Sequence, residues 1–224
     1  TVVIHRLGFI LKESNKYRKL VRYWRMILEL RRLAKLYKPK FILSFMNKYN
    51  IFTVFSLFGL NQSVIVSERD SPTEVFSRSF VVARNIAYRF SKGLIAQTQS
   101  YKTYIHKQIP NLRVEVIYNP VREIPTQHVI KQNIILFVGR LEVKKGVNYL
   151  IAALAKHKNR LASDQWVVSI VGDGSERRNL ESLVRACDLE SIVRFEGLKT
   201  DVDEWFAKSK IFVLPSLMEG FPNA

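Results

Sequence analysis

The chain alternates between two hydrophobic rhythms. Short apolar runs mark strands: Ile-Phe-Val-Leu at 211–214 is a β-branched and aromatic run of the kind a parallel sheet buries on both faces, and Phe-Ile-Leu-Ser-Phe-Met at 41–46 reads as another buried strand. Between them lie stretches whose apolar residues recur three and four apart, the spacing of one helix face. This reading places strands over 1–7, 41–46, 64–67, 94–97, 114–118, 134–138, 166–171, 192–195 and 211–214. Helices fall over 15–38, 75–90, 101–108, 147–157, 176–187 and 202–208, with 51–58 helical or mixed. Strands and helices in this alternation predict βαβ units and an α/β fold with mostly parallel sheets.

The first long helix carries an apolar stripe of Leu20, Tyr23, Ile27, Leu30, Ala34 and Tyr37, with Arg18, Arg22, Arg25 and Arg32 on its other face, and Pro39 stops it. Asn119-Pro120, Pro125 and the polar residues to Gln132 read as a connector. Two Rossmann-like halves follow, over 1–125 and 126–224.

Charge separates these halves. Residues 1–125 hold 22 Lys+Arg against 7 Asp+Glu, and residues 126–224 hold 14 against 12, so nearly all of the net charge of +17 belongs to the first half. Such an excess suits nucleic acid, an anionic membrane surface or an anionic substrate. No recognisable nucleic-acid reading motif accompanies it, so nucleic acid is not expected as a partner. No apolar run approaches the ~18 residues of a membrane span. The single cysteine, Cys187, leaves no internal disulfide and fits a reducing cytoplasm. His5, His106, His128 and His157 are scattered without metal-ligand spacing, and no metal site is expected.

Three βα junctions and the last strand carry candidate chemistry. The loop over 138–146, Val-Gly-Arg-Leu-Glu-Val-Lys-Lys-Gly, sets Arg140 and Lys145 between Gly139 and Gly146 ahead of a helix. Arg and Lys at a helix N-terminus can clamp a diphosphate, although a βα turn with solvated charges has the same composition. Val171-Gly-Asp-Gly174 follows a strand, but the third glycine of a dinucleotide fingerprint would fall on Arg177. A tight turn with Asp173 beside a ligand and a purely structural turn both fit. Val66-Ser-Glu-Arg-Asp-Ser-Pro72 ends a strand of the first half, where Glu68 can orient an acceptor hydroxyl and Arg69 can meet phosphate, or the segment is a polar loop. The strand over 211–214 runs through Pro215 into Glu219, Gly220 and Phe221, which places that carboxylate and those amides at the mouth of a crevice beyond a sheet.

Taken in order, Phe-Val-Gly-Arg-Leu with Lys145-Gly146, Val-Gly-Asp-Gly-Ser-Glu, Val-Arg-Phe-Glu-Gly-Leu and Phe-Val-Leu-Pro-Ser-Leu-Met-Glu-Gly-Phe-Pro-Asn-Ala resemble the nucleotide-sugar domain of family 4 glycosyltransferases. The resemblance implies a GT-B fold, with 1–125 on the acceptor side and 126–224 binding the donor, both incomplete in this chain. It implies retaining sugar transfer from a nucleotide-diphosphate sugar, with UDP the expected nucleotide, and no metal or other cofactor. Gly139, Arg140 and Lys145 match its donor-diphosphate loop. Glu219 matches the first glutamate of its E-x7-E motif, with the amides of Gly220 and Phe221 beside it. The second glutamate would lie three residues past Ala224, and the chain reads as an internal portion of a longer enzyme. Glu68 stands where many members place a histidine.

The expected protein is therefore a hexosyltransferase-type enzyme of polysaccharide biosynthesis, acting on a glycan or lipid-linked acceptor. It is expected to be cytoplasmic and peripheral on the inner face of the membrane, docked by the basic first half. The rival reading is a non-catalytic basic module, either a transferase relic that binds glycan or lipid, or a nucleic-acid binder.

Overall fold

The computed structural model describes residues 16–72, 74–120 and 129–222. The strand over 1–7, His5, most of the connector, His128 and Asn223-Ala224 lie outside the described residues. The chain divides into two compact units, Thr1–Asn119 and Pro120–Ala224. The sequence-based boundary at 125/126 falls inside the undescribed 121–128.

The first unit runs α1 (Lys16–Tyr37), β1 (Ile42–Phe45), α2 (Asn47–Leu57), β2 (Val64–Glu68), α3 (Arg78–Arg89), β3 (Gly93–Ala96), α4 (Gln99–Gln108) and β4 (Val114–Val116). Its four described strands are parallel, in the order β1-β2-β3-β4. Val64, Val66, Leu94, Ala96, Ala87 and Ile105 meet in one core. Capping sets two helix starts that periodicity misplaces. Ser77 accepts from the Phe80 amide at 3.3 Å, so α3 begins at Arg78 rather than at 75. Thr98 accepts from the Tyr101 amide at 3.1 Å, so α4 begins before 101.

Two expectations for this unit change. The strand expected to be buried over 41–46 pairs on one side only among the described residues, and Leu43 and Phe45 are exposed on it. The stripe on α1 is covered along its middle and open at both ends. Leu30 and Ala34 pack on the core, whereas Leu20 and Tyr37 are exposed. The physical reason is that α1 lies against α2, a helix half its length. Arg31 of α1 crosses that contact and donates to the carbonyls of Ser56 and Phe58 at 2.8 and 3.0 Å, satisfying acceptors that the end of α2 leaves open.

The second unit runs β5 (Gln132–Val138), a single 3₁₀ turn (Val143–Lys145), α5 (Val147–Ala155), α6 (Lys158–Ser163), β6 (Val167–Val171), α7 (Arg177–Ala186), β7 (Val193–Gly197), α8 (Val202–Lys208) and β8 (Ser209–Phe212). The parallel order is β7-β6-β5-β8. From β5 the chain winds outward through β6 to β7, then returns to pair β8 with the other side of β5. This reversal makes the β5/β8 junction a topological switch point, where open α/β sheets leave a crevice. The last described strand spans 209–212 rather than 211–214 and, among the described residues, pairs on one side only. Ile211 and Phe212 are therefore half-exposed, where a strand buried on both faces was expected.

Candidate functional site

Close backbone contacts assemble the carboxyl end of the second sheet. The Gly139 amide bonds the Val171 carbonyl at 3.0 Å, Leu141 N bonds Asp173 O at 2.9 Å, and Glu176 N bonds Leu141 O at 2.9 Å. The loop after β5 is thus laced to the loop after β6. Glycine permits this. A Cβ on Gly172, whose φ is +134°, would sit 1.9 Å from the Gly139 carbonyl oxygen, and one on Gly174 would sit 2.4 Å from the Leu141 oxygen. On the other side, Leu217 N bonds Lys144 O at 2.9 Å. A Cβ on Gly146, at φ +66°, would lie 2.1 Å from the Pro215 oxygen, so the loop after β8 is pressed onto the same turn.

These constraints bring Lys145 and Glu219 together across 74 positions of sequence. The Lys145 Nζ donates to Glu219 Oε1 at 2.5 Å, with the two side chains only 17% and 22% exposed. Burial pushes the Glu219 carboxyl up, but the Lys145 hydrogen bond and the charges of Lys145 and Lys144 outweigh it. Glu219 is held below the ordinary carboxylate range and is ionised. Arg140 stands at the same edge, 70% exposed, with its Nη1 2.7 Å from Glu142 Oε1, while Lys144 Nζ lies 3.7 Å from Glu142 Oε2. Three cations and one carboxylate therefore share one turn at the switch point, and the loop after β8 adds the carboxylate of Glu219. Such a cluster can exchange its internal ion pairs for an anionic ligand.

The remaining donor candidates have structural occupations. Gly139 spends its amide on Val171. Asp173 accepts from its neighbour's amide, Gly174 N, at 2.7 Å and lies 3.5 Å from Arg177 Nη1, so both its oxygens are engaged at its own turn. Gly220 and Phe221 continue the bend after Glu219 and are half-buried.

In the first unit, Glu68 and Arg69 point apart. Glu68 ends the central strand β2 and is 1% exposed; its Oε1 accepts from Asn50 Nδ2 at 3.0 Å. Its Oε2 and the buried hydroxyl of Tyr101 have no hydrogen-bond partner. Burial is the main reason why the Glu68 carboxyl is pushed up to about 8; the Asp70 charge adds to it, and Asn50 and Arg84 oppose it. Asp70 is tied to Asn47 Nδ2 at 2.7 Å. Arg69, exposed between these two anchored acids, lies over the Phe45 ring at 5.1 Å.

Sequence reasoning missed the partners rather than the candidates. Glu142 and Lys144 were visible in the loop at 138–146, and the alternation of charges there was the available signal. Asn50, Tyr88, Tyr101 and Arg84, which surround the Glu68 region, gave no signal, because they come from three different helices that only the fold brings together there.

Residues 121–224 match the model of the family described as glycosyl transferases group 1. The match spans just under half of the chain. Over 211 residues the chain is 28% identical to a Campylobacter jejuni GalNAc-alpha-(1->4)-GalNAc-alpha-(1->3)-diNAcBac-PP-undecaprenol alpha-1,4-N-acetyl-D-galactosaminyltransferase, covering 92% of this chain and 57% of the relative. It is 30% identical to an uncharacterized glycosyltransferase of Haemophilus influenzae, covering 77% and 49%. The chain thus spans about half the length of the curated relatives it matches. Among solved structures it is similar to Anabaena HepE in complex with UDP, with a TM-score of 0.71 and 21% identity over 85% of this chain and 56% of that one. The same protein in complex with UDP-glucose aligns with a TM-score of 0.70. The fold is that of the GT-B glycosyltransferases, with two parallel Rossmann-like sheets.

Proposed function

We propose that the chain forms part of a retaining glycosyltransferase that moves a hexosyl group from a UDP-sugar to a glycan or lipid-linked acceptor. The observation that carries this reading is the Lys145–Glu219 pair at the β5/β8 switch point, on the loop that also carries Arg140. In this reading Arg140 and Lys145 hold the donor diphosphate and stabilise the negative charge that grows on it as the glycosidic bond breaks. The two side-chain cations fill the place a divalent ion would take, and no metal is assigned. Glu219, kept ionised by Lys145, accepts hydrogen bonds from hydroxyls of the donor sugar, and the amides at Gly220 and Phe221 line the same wall. Gly139 and Asp173 shape the loops around it.

UDP and UDP-glucose in complexes of the similar HepE support a uridine diphosphate donor. The diphospho-undecaprenol named for the Campylobacter relative supports a lipid-linked acceptor. A membrane-surface location fits the basic first half, since α1 exposes Tyr17, Leu20, Trp24 and Leu28 among its arginines and lysines. Among the described residues no helix is long and apolar enough to cross a membrane, and we assign the chain to the cytoplasmic face. Arg69 is assigned to the acceptor's phosphate, with Glu68 holding the strand end beneath it.

Titration calorimetry with UDP tests the donor site. A charge-assisted hydrogen bond contributes about 1.5–3 kcal/mol, so alanine at Arg140 or Lys145 should weaken UDP binding roughly 10- to 100-fold. Unchanged affinity in both variants would place the diphosphate elsewhere.

A further inference from the structure

We propose that Glu142 is an internal competitor for the donor-diphosphate site: it holds Arg140 while the site is empty and reclaims it as the nucleoside diphosphate departs. This rests on the donor reading above and adds to it a residue that governs affinity and release.

The geometry is specific. One carboxylate bridges two cations of the same turn, with Oε1 2.7 Å from Arg140 Nη1 and Oε2 3.7 Å from Lys144 Nζ. Glu142 occupies the position that starts the 3₁₀ turn at Val143, where an acidic side chain commonly caps a free amide, yet its side chain makes no such bond. Its charge is therefore left for Arg140 and Lys144. Lys145, two residues beyond Lys144's neighbour Val143, is held separately by Glu219. The turn's two phosphate-directed cations thus have different internal partners, one half-buried and one at the exposed rim.

The chemistry of transfer gives the rim pair a role. The acceptor oxygen bonds to the anomeric carbon, and its proton passes to bulk water. The bond from that carbon to the diphosphate oxygen breaks, and its electron pair stays on the oxygen. The leaving diphosphate therefore carries one more negative charge than it had in the donor. Fixed cations alone would hold product more tightly than substrate and slow its exit. A carboxylate two residues from Arg140 opposes this, because it competes for the guanidinium and repels the added charge.

The test compares the full chain with Glu142→Gln by calorimetry, using UDP, GDP and ADP as ligands and uridine as the phosphate-free control. An exposed ion pair is weak, so the neutral variant should bind the nucleoside diphosphate about two- to fivefold more tightly. The gain should vanish near 1 M salt, where screening acts within about 3 Å. Uridine affinity should not change. A diphosphate affinity equal to or weaker than wild type, or an equal gain for uridine, would overturn the role of Glu142 while leaving the donor site standing. If neither protein binds any of the three diphosphates, the donor reading itself falls and this inference goes with it.

Discussion

Replacing Glu68 with glutamine isolates the consequence of burying a carboxyl at the end of the central strand of the first unit. Glu68 is 1% exposed, accepts one hydrogen bond from Asn50, and leaves Oε2 without a partner. Its pKa rises from 4.5 to about 8, principally through burial. Because the folded pKa is the higher one, the native state keeps a proton that the unfolded chain loses. Stability from this group is fully present below about pH 4.5, falls as pH rises, and levels off above about pH 8. The limiting slope is about 1.4 kcal/mol per pH unit, so the fall across this window is at most about 5 kcal/mol. Glutamine has the same shape, accepts from Asn50 in the same way, and stays neutral throughout. Urea unfolding of both proteins, followed by circular dichroism from about pH 5 to pH 9, reads the difference, and the other titrating groups cancel in it. The two proteins should agree within about 1 kcal/mol near pH 5, and Glu68→Gln should be the more stable by several kcal/mol near pH 9. A difference that stays constant over this range would show that Glu68 is ionised in the native state, and the account of its burial would be wrong.

Two further predictions concern the donor loops and the basic helix. Gly172→Ala should cost at least about 2 kcal/mol, through a strained backbone and a collision with the Gly139 carbonyl, whereas Gly59→Ala, at φ +79° with nothing within 4 Å, bears only the backbone strain. Thermal melts of the two variants compare them directly, and equal losses would deny the close approach that laces the β5 and β6 loops. For the membrane reading, sedimentation with anionic liposomes should retain the protein at low salt and release it as ionic strength rises, since each basic residue near the surface adds about 1 kcal/mol and screening acts within about 10 Å at 0.1 M. Binding that ignores salt would remove the charge argument.

Element type was legible wherever both faces of a strand or one stripe of a helix entered a core. The runs at 134–138 and 167–171 became the buried pair β5 and β6, and the helix over 202–208 has the expected bounds. Misjudged positions share a cause. The runs at 41–46 and 211–214 are apolar enough for a central strand, but among the described residues each pairs on one side only, and pairing is a long-range event that a local window does not contain. Helix starts at Arg78 and Gln99 follow single side-chain caps, Ser77 and Thr98, which carry no periodicity.

By itself, the sequence determined the α/β alternation, the basic and nearly neutral halves, and the loops holding Arg140, Lys145 and Glu219, because these are properties of neighbouring residues. Only the tertiary structure decided which charges meet. Lys145 pairs with Glu219 because Gly146 lets Pro215 approach and Leu217 bonds the Lys144 carbonyl, whereas Glu142, next to both cations in sequence, takes Arg140. Glu68 and Arg69 are adjacent in sequence and opposite in fate, since the strand buried on both faces ends at Glu68 and Arg69 lies beyond it, exposed. Composition places a charge on the chain. The desolvation and partners that decide what the charge can do come from residues many positions away.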